Sequence, residues 1–362
     1  MTNVTELTND GQITKPRRPN LDYPFDESEA PTPGTVKKIV DGVFWVRMPL
    51  PISLEWINLW LLRDGDGWTI VDTGMATEDA RNHWRKIFEE CLDGLPVKRV
   101  IVTHMHPDHV GLAGWITRKF DCPLYMSRLE YTSCRMLVAD TGREAPQAGI
   151  KFYEDAGWDN EAIETYKKRF GGFGRATSRL PDAYIRLRDG DEIDIGGSSW
   201  RVLTGEGHCP EHVCLFNAEQ NLFISGDQLL PRISSNVSVF PTEPEADPLS
   251  DWINSCLKLK AELPEDVLVL PAHNLPFKGA HKRLDHLVRG HEVVLKRLKQ
   301  KIRNPHRVID LFPTIFGRKI ERESYSLATG ESIAHLNCLI ERGEAKRIVT
   351  EDGYVMYEAV NA

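Results

Sequence analysis

The stretch Thr103–Gly111, THMHPDHVG, constrains this chain more than any other nine residues in it. Three histidines and an aspartate fall between His104 and His109, directly after VKRVIVT, which reads as a buried strand. Residues i and i+2 of an extended chain project to the same side, so His104 and His106 can face one point. The following helix is expected to begin near Val110. That puts Asp108 and His109 at the turn into it, where they can face a second point nearby.

Other apolar runs end on the same residue types. RVLTGEGH closes on His208, LFISGD on Asp227 and VLVLPAH on His273. In α/β sheets, ligands gather outside the carboxyl ends of strands, and here four runs deliver His or Asp to that edge. The inventory is five histidines and two aspartates. A single tetrahedral catalytic zinc takes three protein ligands and a water. Seven donors suit two metals with one carboxylate shared. The imidazole-rich set favours zinc, and the carboxylates also tolerate iron or manganese.

HMHPDH followed in order by His208, Asp227 and His273, with TIVDTG upstream, resembles the metallo-β-lactamase superfamily. The likeness is to its dinuclear hydrolase branch, which includes glyoxalase II, RNase Z and the lactonases, and it covers roughly residues 36–280. It implies an α/β fold, the four-layer αββα sandwich. Carried over by position, His104, His106 and His208 would hold one metal, and Asp108, His109 and His273 the other. Asp227 would bridge both. Asp72 in VDTG would orient the ligand loop without touching a metal, and Asp108 could also accept a proton. GEGHCPEH replaces the threonine–proline–glycine–histidine run usual in glyoxalase II, which weakens a glutathione-thioester assignment but not the metal site.

The resemblance implies a dinuclear metal-dependent hydrolase, in which water made acidic near neutral pH attacks a thioester, ester or lactone carbonyl. Aspartate at 227, where many β-lactamases of the superfamily carry Cys or Ser, favours that class. The alternatives are a metal-dependent endoribonuclease or phosphodiesterase, then a β-lactamase, then a metal-stabilised sensor. No GxSxG nucleophile motif is present. The net charge of −8 speaks against a nucleic-acid or anionic-membrane partner, since phosphate binding draws on clustered Lys and Arg. The expected partner is a small-molecule substrate, and a homo-oligomer stays open.

Residues 1–35 read as an extended arm broken by prolines, able to drape over the body or a second subunit. They lack the apolar run of a signal peptide. The catalytic unit is expected over 36–290, with strand and helix alternating. A helical insertion over about 128–188 interrupts that rhythm. Two readings of it stand: a helical pair packed on the core or a dimer partner, or a lid whose aromatics line a pocket. Residues 291–362 read as two helix-like segments and a hairpin turning at Asp352–Gly353, the layout of a small winged-helix-like module. Its GESIAHLNCLIERGE helix is acidic, so it is read as a structural cap or pocket wall rather than a phosphate binder. Seven scattered cysteines without a CxxC point to a reducing compartment, and the protein is expected to be cytoplasmic. Cys209 is read as a packing residue. His212 and Glu211 are read equally as supports of the ligands or as structural hydrogen-bonding groups. His281, His286 and His291, five apart on a helix, are read as solvated, and His83, His306 and His335 receive no role.

Overall fold

The computed structural model describes residues 18–360. Four strands, β1 Val36–Val40, β2 Val43–Pro49, β3 Trp56–Asp64 and β4 Gly67–Val71, form an antiparallel meander. Helix α1 (Glu78–Glu90) then crosses to β5 (Val97–Ile101), which lies parallel to β4. After β5 come a single-turn helix α2 (Pro107–Val110), then α3 (Ala113–Phe120) and β6 (Leu124–Ser127). Three helices follow, α4 (Arg128–Ala139), α5 (Gln147–Asp155) and α6 (Asn160–Arg169), before β7 (Ile185–Leu187) closes the seven-stranded sheet in sequential order. The second sheet holds β8 (Glu192–Ile195), β9 (Ser198–Gly205), β10 (His212–Asn217), β11 (Leu222–Gly226) and, after α7 (Pro248–Glu262), β12 (Leu268–Pro271). The chain ends with α8 (Ala280–Lys301), α9 (Phe312–Phe316), α10 (Tyr325–Glu341) and an isolated hairpin of β13 (Ala345–Val349) and β14 (Val355–Ala359).

Side-chain alternation explains the layering. In β3, Ile57, Leu59 and Leu61 face Trp84 and Ile87 of α1 and Ile116 of α3. Trp60 and Leu62 point the other way, into a core shared with Trp200, Val202, Val213 and Ile224 of the second sheet. On the far side of that sheet, Cys214, Phe216 and Phe223 pack against Trp252 and Leu259 of α7 and Leu284 of α8. Both sheets are therefore covered on both faces, and their central strands, such as β3 and β10, are near-continuously buried. The order is helix, sheet, sheet, helix: the four-layer αββα sandwich with a C-terminal helical domain.

Residues 18–35 lie against the body. Asp22 and Lys278 exchange backbone hydrogen bonds of 3.3 and 2.8 Å, Leu21 is buried, and Glu27 pairs with Arg47. Residues 1–17 of the expected arm lie outside the described residues. Helix α8 runs without a break through residue 290.

The insertion contains three helices rather than a pair. The rings of Phe152 and Trp158 join the core that holds Val308 and Ile333, and the Trp158 indole N–H donates to Thr329 Oγ1 at 2.9 Å. Those rings pack on the C-terminal domain.

Two further sequence expectations need correcting. The helix after the histidine run starts at Pro107, not near Val110, because proline's fixed φ suits a first helical turn. It then breaks at Gly111, where a Cβ would strike the carbonyl oxygens of Pro107 and Gly74. His291 is not solvated: it is 7% exposed, and its Nδ1 lies 3.2 Å from Nε2 of His335 on α10. Five residues advance a helix by about 140° beyond a full turn, so the three histidines of α8 meet different neighbours.

Among the described residues, no helix is long and apolar enough to cross a membrane. All seven cysteines are free.

Candidate metal centre

The strand ends of both sheets converge on one edge. Asp72 follows β4, His104 and His106 follow β5, His208 follows β9, Asp227 follows β11 and His273 follows β12. The structure brings all seven residues of the expected ligand set together. His104, His106, His208 and Asp227 form one group, and Asp108, His109 and His273 another, each with candidate donor atoms within 4.8 Å of one another. His104 Nε2 lies 2.9 Å from His106 Nδ1.

Asp227 spans the two groups. Its Oδ2 lies 3.4 Å from His208 Nε2, while its Oδ1 lies 3.6 Å from His109 Nε2 and 3.5 Å from His273 Nε2. Asp108 Oδ2 stands 3.3 Å from His273 Nε2 and 3.7 Å from His109 Nε2.

The outward nitrogens of three histidines are tied down. His273 Nδ1 donates to the Trp56 carbonyl at 2.9 Å and His208 Nδ1 to the Asn236 carbonyl at 2.7 Å. His109 Nδ1 lies 2.7 Å from Asp72 Oδ2. Such bonds fix ring orientation and turn Nε2 toward a ligand site. Nε2 of His109, His208 and His273 and Oδ1 of Asp227 are buried with no hydrogen-bond partner among the described residues. Buried polar atoms ordinarily find partners. Converging orphans of imidazole and carboxylate chemistry fit a pair of divalent cations.

Asp72 has φ of 59°, a left-handed backbone in a non-glycine residue, the kind of strain that gathers at functional sites. Its Oδ1 accepts the Thr103 N–H and its Oδ2 the Thr103 hydroxyl, each at 2.8 Å. The side chain thus holds the start of the ligand run as well as His109.

The electrostatics divide the histidines. Burial pushes His104 well below its ordinary value, helped by the surrounding imidazoles, and takes His106 to about 3. Both are neutral and ready to ligate. Burial also disfavours charge on His109, but the carboxylates of Asp72, Asp108 and Asp227 outweigh it and hold that imidazole at about 10. His273 is raised the same way against the cost of burial, chiefly by Asp227. Burial opposes ionisation of Asp227 too, yet His273 and His109 keep it well below the usual carboxylate range.

His212, read from sequence as a ligand support or a structural group, contacts two candidate ligands, whereas Asn236 and Glu130 escape a reading of sequence. The His212 ring stacks on His104 with centroids 4.7 Å apart, and its Nε2 accepts the Asp227 N–H at 3.1 Å. Asn236 supplies the carbonyl for His208, and its amide donates to Glu331 of α10 at 3.0 Å, so the C-terminal domain braces a candidate ligand. Glu130 of α4 is fully buried between two ligand loops. Nothing in SRLEYTSC distinguishes that glutamate from any other in the first turn of a helix.

Fold, ligand order and paired donor groups together define a class of metallo-hydrolase. The chain belongs to the metallo-β-lactamase superfamily: the model of that family matches residues 57–273, and that of the metallo-β-lactamase-like C-terminal domain matches residues 295–360. The crystal structure of a β-lactamase domain protein from Burkholderia ambifaria is similar with a TM-score of 0.85 and 39% identity, over 94% of this chain and 98% of that one. The probable metallo-hydrolase YqjP of Bacillus subtilis is 26% identical over 337 residues, 88% of this chain and 97% of YqjP. The human acyl-coenzyme A thioesterase MBLAC2 is 24% identical over 250 residues, 66% of this chain and 80% of MBLAC2.

Proposed function

We propose that this protein hydrolyses an acyl thioester, ester or lactone at a dinuclear centre built from His104, His106, Asp108, His109, His208, Asp227 and His273. The observation that carries this reading is Asp227, whose two oxygens face two separate groups of imidazoles. Two divalent cations, zinc by preference and iron or manganese as substitutes, would supply Lewis-acid polarisation of a carbonyl and a water acidic near neutral pH.

The chain's own residues do the rest. His109, His208 and His273 are locked through Nδ1, so the reacting atoms would meet a preorganised rim. Asp72 acts by holding Thr103 and His109. Asp108 reaches His273 through Oδ2 and would accept the proton of the attacking water at that carboxylate. The thioester preference is supported by the likeness to MBLAC2, and the net charge of −8 disfavours RNA, whose binding draws on clustered Lys and Arg. A cytoplasmic setting agrees with seven free cysteines. We read residues 291–362 as a winged-helix-like cap that steadies Asn236 rather than a nucleic-acid binder.

The test is a panel of acyl-CoA and acyl-glutathione thioesters, aryl esters, lactones, nitrocefin and single-stranded RNA, offered to the metal-loaded protein. His104→Ala and Asp108→Ala serve as blanks. Turnover of a thioester, ester or lactone that both blanks abolish is the expected result. Turnover surviving in the blanks would dismiss the centre as the catalyst. Cleavage of RNA or nitrocefin alone would replace the substrate class.

A further inference from the structure

The three histidines of the first group arrive on two loops from different sheets, joined by one backbone hydrogen bond from the Val213 N–H to the Thr103 carbonyl at 2.8 Å. His104 and His106 flank Met105 on the loop after β5. His208 leads into the loop Cys209–Glu211 after β9. One buried carboxylate stands between them. Glu130 Oε2 accepts the Met105 N–H at 2.9 Å, and Glu130 Oε1 accepts the Glu211 N–H at 2.9 Å.

Glu130 is itself anchored. It lies in the first turn of α4, just past β6. There the Ser127 hydroxyl donates to the Glu211 carbonyl at 2.6 Å, and the Leu129 N–H donates to Glu211 Oε2 at 2.9 Å. The insertion therefore enters the body as a rivet beneath the candidate ligands. Above it, the rings of His106 and His208 sit with centroids 4.6 Å apart.

We propose that Glu130 is a positioning residue that sets the separation of His104 and His106 from His208, and through it the affinity of the first group for its cation. This rests on the dinuclear reading. A carboxylate can accept from both loops at once, because each oxygen faces one N–H. An amide at 130 would keep one acceptor and turn an NH2 toward the other backbone donor, releasing one loop. A leucine of similar bulk would release both.

The experiment is a Co2+ titration of the metal-free full chain, followed by visible absorption and by chelator competition. It compares wild type, Glu130→Gln and Glu130→Leu, each also in a His273→Ala background that cripples the second group and a His208→Ala background that cripples the first. Loss of a hydrogen bond that orients a metal ligand costs about 10–100-fold in metal affinity. We expect a loss of that order in the His273→Ala background, larger for leucine than for glutamine, and none in the His208→Ala background. Melting of the metal-free proteins is recorded alongside. Unchanged affinity for the first group in both variants overturns the proposal. So does an equal loss at both groups that tracks a lower melting temperature, which would make Glu130 a general structural residue. If wild type takes up fewer than two Co2+ ions, the dinuclear reading itself fails and this inference goes with it.

Discussion

His109 Nδ1 stands 2.7 Å from Asp72 Oδ2, and that contact fastens the turn after β4 to the ligand run after β5. Asp72 reaches it from a left-handed backbone. A strained turn is thereby held by the contact it makes possible.

Replacing Asp72 tests the fastening. Asp72→Asn retains a residue tolerant of positive φ but loses the charge beside His109. Asp72→Ala loses the acceptor as well. Affinity for the second cation should fall about 10–100-fold in Asp72→Ala, and less in Asp72→Asn. Metal content after dialysis against graded chelator reads this out. Two equivalents retained as tightly as in wild type would show that His109 needs no such partner.

Loading the centre should release protons. In the metal-free chain His109 titrates at about 10 and His273 is raised above its ordinary value, so His109 is protonated at neutral pH. A cation takes a neutral imidazole, so it must displace that proton. Affinity should therefore rise with pH toward the range where His109 deprotonates, and fall on acidification. Calorimetric titration in buffers of different ionisation enthalpy measures the proton count. Heats that do not depend on the buffer would contradict the assignment.

The sharing role of Asp227 predicts a change in stoichiometry. Asp227→Asn leaves one oxygen and puts an amide group toward the other set of imidazoles. Uptake should drop from about two cations per chain to about one, since a metal with too few protein donors is readily lost. Hydrolysis should drop with it. Elemental analysis showing two tightly held cations in the variant would remove Asp227 from the bridge.

Trp84 couples core packing to the site. It is fully buried, and its indole N–H donates to the Thr73 carbonyl at 2.8 Å, directly after Asp72. Trp84→Ala should cost about 3–5 kcal/mol by urea denaturation of the chelated protein. Trp84→Phe should preserve most of the packing and orphan the Thr73 carbonyl. A cost near zero for the alanine variant would mean that the helical layer over the first sheet collapses to fill the gap.

The seven candidate donors were legible one loop at a time, because each closes an apolar run and the His104–His109 segment is dense in ligand chemistry. The layers were legible only through the family resemblance. Residues such as Trp60 and Leu61 look alike in a run buried on both faces, and nothing local says that one meets a second sheet and the other a helix. The three-helix insertion shows the same limit. Phe152 and Trp158 read equally well as a pocket lining or as packing, and the choice depends on α10, some 170 residues further along the chain.

Local chemistry alone thus decided which side chains could take a metal and that there were enough of them for two, because ligand identity and strand-end position are properties of short segments. Only the folded chain decided which oxygen of Asp227 faces which imidazoles, that Asp72 holds His109, that His291 is buried against His335, and that Glu130 lies between two ligand loops. Those relations join residues as much as 118 positions apart in contacts of 2.7 to 3.6 Å. Distance in space on that scale is set by how the two sheets stack, which no single stretch of the chain encodes.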